Sequence, residues 1–434
     1  MRFKETREYY EQHLVRQFLR IRKLKVYDAI QQTIVILYPF MLVGSIMELL
    51  RESFLIKGSY FDELFGTVAM IPHANGINFF LGSMSKLTIG FAGVLAATEV
   101  ARNLAKKFDK DTQMAGVTGG LAYLILTFYD SDQGVLGFTA RSLGFSSLLF
   151  GILVGVVTGY IFKYLSRKVD TNQPKGSVIR DRMFNSMWAI TVTLILSAGL
   201  NTVFYLLNSK ALTPEINRLL IQNVMNTHSA WVLTGGTALS IILQFIGMGS
   251  PIANGQMMGA DAVSNLNYAL QHQSAWNIPN PINAHGIIGI YTNIGGTGAT
   301  LGLLIAIIWV GKGRQFQRVA KQSLLPGLFN YNQSTLVGLP ILFNIAYVIP
   351  FILAPIVNLL ITMSALKLHL IPSAVYQIPN GTPGIFMGFI GTNGSVQALI
   401  LSLVLVAVDV LIYVPFVEIG EKVNADLNQG GDAE

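Results

Sequence analysis

The residues of this chain whose types and spacing could do chemistry are amides and hydroxyls set into interrupted apolar stretches. Asn332 and Gln333 lie between Pro326 and Pro340 in the apolar segment 324–342. A carboxamide presents a donor and an acceptor together, which suits the hydroxyl groups of a polar solute. Asn293, Gly295, Gly296, Thr297 and Gly298 form a glycine-rich, hydroxyl-bearing turn where the main chain can approach a ligand closely. Close helix packing is the other use of such glycines in a membrane. Asn380, Thr382 and Asn393 flank Gly381 and Pro383 in a second interrupted stretch, 375–393, and Asn344 follows the first one. His285 and Asp261 are ionisable groups near apolar sequence, where such residues are functional candidates, and Lys86 reads as a snorkelling side chain of a span. The chemistry that these groups fit is hydrogen bonding to a solute, with Gln333, Asn332, Asn293, Thr297, His285, Asn344, Asn380 and Thr382 as the candidate contacts.

Other chemistries lack their residues. The sequence has no cysteine, so it contains no disulfide, thiolate metal site or cysteine phosphoryl carrier. No His, Asp and Glu grouping has metal-ligand spacing, and no Ser/His/Asp arrangement stands out. The glycine-rich turn lacks the lysine of a phosphate-binding loop. No catalytic residue, metal or cofactor is therefore expected.

The elements that position these groups must lie in lipid. Of the 434 residues 52% are hydrophobic and 12% charged, about half of the roughly 25% charge of a soluble domain. Apolar runs near the roughly 20 residues that cross a bilayer recur along the chain. The net charge of +7 resides in short loops between those runs, a pattern that orients membrane proteins and gives no reason to expect nucleic acid. The spans read as 30–50, 78–100, 113–129, 144–165, 187–207, 230–249, 286–310, 344–366 and 396–416. Loop charge requires one further crossing within the amide-rich stretch 251–284, which makes about ten and leaves both termini cytoplasmic. The expected fold is thus an all-α polytopic membrane protein with about ten transmembrane helices, re-entrant hairpins where the backbone is broken, and an N-terminal amphipathic helix. Residues 1–27 form the amphipathic segment, 28–185 a scaffold half, 186–417 a solute-binding half with the broken spans, and 418–434 a cytoplasmic tail.

Several motifs resemble one family. Asn293-Ile-Gly-Gly-Thr-Gly-Ala-Thr-Leu-Gly-Leu303, Phe329-Asn-Tyr-Asn-Gln-Ser-Thr-Leu-Val-Gly-Leu-Pro-Ile-Leu-Phe-Asn344 and Val410-Leu-Ile-Tyr-Val-Pro-Phe416 resemble signatures of the membrane subunit, enzyme IIC, of the lactose/cellobiose/chitobiose family of the bacterial phosphoenolpyruvate-dependent sugar phosphotransferase system. Phe80-Leu-Gly-Ser-Met-Ser-Lys86 and Asp109-Lys-Asp111 fit its first half. The resemblance implies a homodimeric permease in the bacterial cytoplasmic membrane, with two re-entrant hairpins and an elevator-like motion. It would carry a disaccharide or glycoside inward for phosphorylation by a separate IIB subunit, with soluble IIA as a further partner. Three positions depart from the family pattern. Asn332-Gln333-Ser334 replaces an Asn-Glu-Pro triplet, Gly247-Met248-Gly249 lacks a histidine, and Asn380 stands where the family has tryptophan. These changes keep open an alternative, a IIC-like homologue that acts as a phosphorylation-independent transporter or a membrane receptor or sensor.

Overall fold

The computed structural model describes residues 24–130, 136–167, 175–206, 221–225, 227, 229–252 and 259–430. Most of the expected amphipathic segment 1–27 lies outside the described residues. Ahead of the boundary expected at 185 lie α1 (Lys25–Leu50), α2 (Ala74–Thr88), α3 (Ala92–Lys107), α4 (Thr112–Thr127) and α5 (Leu148–Leu165), and α6 (Lys175–Leu206) runs across it. A two-residue antiparallel pair, β1 (Tyr129–Asp130) with β2 (Leu136–Gly137), is a minor exception to the all-helical fold.

Small residues let these helices approach closely. A Cβ on Gly151 of α5 would lie 2.1 Å from the Gly93 carbonyl oxygen of α3. One on Gly155 would lie 2.7 Å from Val100, and one on Gly159 2.7 Å from Leu104. The four-residue spacing sets these glycines on one helix face, and opposite them Ala92, Ala96, Ala97, Val100 and Leu104 are fully buried. Dispersion between closely placed backbones holds such helices together where lipid removes the hydrophobic drive. Beside them, the Asp111 carboxylate caps α4 by accepting 3.0 Å bonds from the amides of Gln113 and Met114, and it also receives Nε and Nη2 of Arg182 at 2.5 and 2.9 Å. That fork ties α4 to α6.

The second half is built from shorter pieces: α7 (Ala230–Phe245), α8 (Ala260–His272), α9 (Thr300–Val310), α10 (Arg314–Leu328), α11 (Gln333–Gly338), α12 (Ile345–Lys367), α13 (Gly384–Gly391) and α14 (Val396–Gly430). The segments 324–342 and 375–393 are broken, as their prolines and glycines lead one to expect. The run 286–310, read from sequence as one span, is also broken. A π-helical turn, Ile288–Thr292, gives way to an irregular segment before α9 begins. In this segment Gly295, Gly296, Gly298 and Ala299 have φ of 89°, 94°, 88° and 51°. A right-handed helix cannot continue through such angles.

Two of the amides in 251–284 satisfy backbone. Asn265 exchanges bonds of 2.7 and 2.9 Å with the main chain of Asn280, and Asn283 caps the turn Ala284–Ile287 through the Gly286 amide at 2.8 Å. Among the described residues six helices are long and apolar enough to cross a membrane, and α7 and α9 are shorter apolar helices. The helix Ala260–His272, in the stretch read as a further crossing, has 13 residues, well short of the roughly 20 that span a bilayer.

The two halves share one core. Ile34, Leu37 and Met41 of α1 pack in one cluster with Leu303 and Ile307 of α9, Leu336 and Val337 of α11, and Tyr413 of α14. Many large apolar side chains of α6 face outward, among them Trp188 at 72% and Ile195 at 67% exposure. A water-soluble surface does not carry such a band.

Candidate functional site

The broken segments converge on a cavity of about 1200 Å³. Seven of the eight candidate residues line it: His285, Asn293, Thr297, Asn332, Gln333, Asn380 and Thr382. The eighth, Asn344, stands outside the lining, where its Oδ1 accepts 3.2 Å from the Ala346 amide and caps α12. Asp261 is in the first turn of α8, away from the lining, and Lys86 is exposed on α2.

Two asparagines fasten the first broken segment to the glycine-rich turn. Asn332 Nδ2 donates to the Thr297 carbonyl at 2.8 Å and to Thr300 Oγ1 at 3.1 Å. Asn330 Oδ1 accepts from the Gly295 amide at 2.7 Å. Gly296 passes so close that a Cβ there would sit 2.4 Å from Asn332 Cγ. The turn thus serves both packing and the cavity wall, with Thr297 in the wall and the glycines against the asparagine. Asn332 is largely committed to this clamp. Gln333 has its Oε1 3.5 Å from Ser45 Oγ of α1, at the outer limit of a hydrogen bond, so its amide remains available to a ligand.

The second broken segment reaches the wall from another direction. The Tyr60 amide donates to the Asn380 carbonyl at 2.9 Å, and Ser53 Oγ donates to the Gly381 carbonyl at 3.1 Å. Thr382 Oγ1 donates to the Pro379 carbonyl at 2.8 Å and closes this tip. Beside it, Asp62 accepts from the amides of Gly58 and Val68 at 3.0 and 2.9 Å. Those bonds, first the one from Gly58, hold its carboxyl below the usual carboxylate value.

Several lining residues were not foreseen. Gln244, Asn330, Tyr331 and Gln377 are further polar ones from the second half, and Glu48, Glu52 and Glu63 come from the first. The signal for Glu48 and Glu52 was present in the sequence: both are ionisable residues at the end of an apolar run, a placement that marks function in membranes. Arg51 lies between them. It pairs with Glu52, stands 3.6 Å from Glu48, and donates through Nε to Asn78 Oδ1 at 3.1 Å. Ser85 Oγ donates to Glu48.

The arrangement offers a large cavity walled by amides, hydroxyls, one imidazole and carboxylates. Among the described residues no group of three or more His, Asp and Glu could hold a metal ion. Such a wall can bind a hydroxylated solute by many hydrogen bonds at once.

Comparison with known proteins agrees with this reading. Residues 31–355 match the model of the family described as Phosphotransferase system, EIIC. The chain is 25% identical over 394 residues to the PTS system lactose-specific EIICB component of Staphylococcus aureus (strain N315), covering 85% of this chain and 67% of that protein. Identity is 23% over 382 residues to the same component of Staphylococcus haemolyticus (strain JCSC1435), covering 83% and 64%. The chain thus spans about two thirds of the length of these relatives. Among solved structures it is similar to the transporter ChbC, the IIC component from the N,N'-diacetylchitobiose-specific phosphotransferase system, with 21% identity, coverage of 97% and 99%, and a TM-score of 0.45. The alternative of a receptor or phosphorylation-independent homologue is not favoured. The chain belongs to the EIIC family of the phosphotransferase system, and it is a sugar-specific membrane permease.

Proposed function

We propose that the chain carries a disaccharide or related glycoside across the bacterial cytoplasmic membrane and delivers it to a IIB subunit for phosphorylation, with soluble IIA as the preceding phosphoryl donor. The observation that carries this reading is the convergence of three sequence-distant polar segments on one cavity of about 1200 Å³. That space exceeds the roughly 300–1000 Å³ typical of small-molecule sites, so a two-ring sugar fits with room for water. The lactose-specific relatives support a disaccharide. The absence of cysteine from the sequence supports a phosphocysteine supplied from elsewhere.

In this reading Gln333, Asn293, Thr297, His285, Asn380 and Thr382 contact the sugar, while Asn332 and Asn344 shape the wall and the helix that follows it. Asn293 Oδ1 is buried without a protein partner, as a group reserved for a ligand donor would be. The chain works as a homodimer, its about ten crossings include the broken hairpins, and both termini face the cytoplasm, in keeping with the basic loops. The half 186–417 moves against the half 28–185 and carries the sugar with it.

The test is phosphoenolpyruvate-dependent formation of phosphosugar by membranes containing the chain together with IIA and IIB. Phosphorylation of at least one β-linked glycoside is expected, reduced at least tenfold by Gln333→Ala. Sugar binding with no phosphorylation across a glycoside panel and all available IIB partners would overturn the proposal.

A further inference from the structure

The carboxylates on the cavity wall all come from the first half. Glu48 and Glu52 lie on α1 and the π-helical turn that extends it, Arg51–Leu55, and Glu63 lies in the short helix Tyr60–Phe65 beyond. The polar residues that the broken segments contribute are amides, hydroxyls and the His285 imidazole. No lysine or arginine lines the cavity among the described residues. Ser45, Glu48 and Glu52, at i, i+3 and i+7, share one helix face. That face turns toward the first broken segment, because Ser45 Oγ is 3.5 Å from Gln333 Oε1. The side chains of Glu48 and Glu52 are 29% and 18% exposed, so each keeps access to the cavity beside its contact with Arg51.

A second feature of the same wall points to a ligand. Gln244 is 7% exposed and its side-chain amide has no hydrogen-bond partner among the described residues. Because Gln244 lines the cavity, its amide has a donor and an acceptor free for a ligand rich in hydroxyls. Carboxylates complement such a ligand. Hydrogen bonds to an ionised acceptor are roughly twice as strong as neutral ones, and two oxygens can take adjacent hydroxyls.

We propose that Glu48 and Glu52 are the charged acceptors for hydroxyls of the bound sugar, contributed across the boundary between halves, and that they restrict the substrate to sugars without an acidic group. This assignment rests on the sugar-permease reading and deepens it. The negative wall attracts hydroxyl donors and repels a uronate or sulfated ring. Arg51 offsets part of the charge and holds both carboxylates in place. Because these acceptors belong to the half that stays behind in the proposed motion, the sugar exchanges them for other partners as it moves.

The experiment is equilibrium binding to the purified full chain, using whichever glycoside of a mono- and disaccharide panel raises its melting temperature. Glu52→Gln and the double variant Glu48→Gln/Glu52→Gln are compared with wild type, alongside a series of deoxy analogues of that glycoside. The double variant is expected to bind at least tenfold more weakly. The analogue lacking the contacted hydroxyl should lose affinity for wild type and lose no more for the variant, a coupling that a merely structural role would not produce. Uronate and sulfated analogues should bind wild type at least tenfold more weakly than the neutral sugar. Wild-type affinity in the double variant, or equal loss for every deoxy analogue, would overturn the assignment and leave the permease reading intact. A wild-type chain that binds no sugar at all would overturn both.

Discussion

Asp409 is fully buried in α14, and no cationic side chain pairs with it among the described residues. Its Oδ2 accepts from Asn358 Nδ2 at 3.0 Å, while its Oδ1 and the Asn358 Oδ1 have no protein partner. An amide at 409 would remove the buried acid and offer an N–H to the unmet Asn358 oxygen. Asp409→Asn is therefore expected to melt at or above the wild-type temperature. Asp409→Ala, which leaves Asn358 only its 3.4 Å bond to the Thr292 carbonyl and opens a void, should cost about 2–4 kcal/mol, read as the difference in melting between the two variants. Gly296 is constrained more severely. Its φ of 94° and the 2.4 Å that would separate an added Cβ from Asn332 Cγ both oppose any side chain. Gly296→Ala should lower thermal stability by about 2 kcal/mol or more and weaken sugar binding, since it displaces the clamp between Asn332 and Thr297. Unchanged melting would show that the turn can relax.

At the scale of elements, the cap and fork at Asp111 test how α4 is held to α6. Burial works to raise the Asp111 pKa, but Arg182 and the amides of Met114 and Gln113 outweigh it and hold the carboxyl below its usual 3.8. A carboxyl depressed in the folded state stabilises the fold above the unfolded value, and that contribution fades as pH falls through the lower folded one. The wild type should lose this stability only in acid below the ordinary carboxylate range, whereas Asp111→Ala should be destabilised by about 2–3 kcal/mol at neutral pH. Asp111→Asn retains a capping oxygen and should lose less. A pH–melting curve identical for wild type and Asp111→Asn would remove the charge from the account. The elements also mark where reading the sequence reached its limit. The breaks at Pro340 and Pro383 were legible because proline cannot donate within a helix, whereas Pro326 is accommodated inside α10. The break at 293–299 was legible only in part, as a glycine-rich turn within a run read as one span, since glycine there is equally compatible with tight packing; its left-handed angles accompany the bonds to Asn330 and Asn332.

For the whole molecule, the tip of the second broken segment is a seam between halves. Ser59 and Asn380 form a parallel bridge, which places their backbones at roughly the 4.8 Å of neighbouring strands, within the range of about 4.4–6.8 Å that a disulfide spans. With no native cysteine in the sequence, Ser59→Cys/Asn380→Cys gives an unambiguous cross-link. Oxidation should abolish sugar uptake and reduction should restore the level of the reduced variant, so that any loss from replacing Asn380 itself is cancelled. Full uptake by the oxidised protein would mean that this seam stays closed throughout transport. The core shared by α1 and the second half makes the seam extensive, so the proposed motion would exchange one set of packed contacts for another.

The sequence by itself determined the solvent, the helical class and the family, because these follow from composition, the length of apolar runs and short contiguous motifs. It also placed seven of the eight candidate residues on one cavity wall, since broken backbone at membrane depth must be buried in protein or line such a space. Tertiary structure alone decided which amides face the cavity and which serve the backbone. Asn293 keeps an unmet oxygen, while Asn344 and Asn265 spend theirs on backbone amides and Asn332 spends its Nδ2 on the clamp. It likewise decided that α1 brings Glu48 and Glu52 to the wall. The physical reason is common to both: a side chain's hydrogen-bonding capacity is fixed by its type, but its partners are fixed by what distant segments bring within about 3.5 Å.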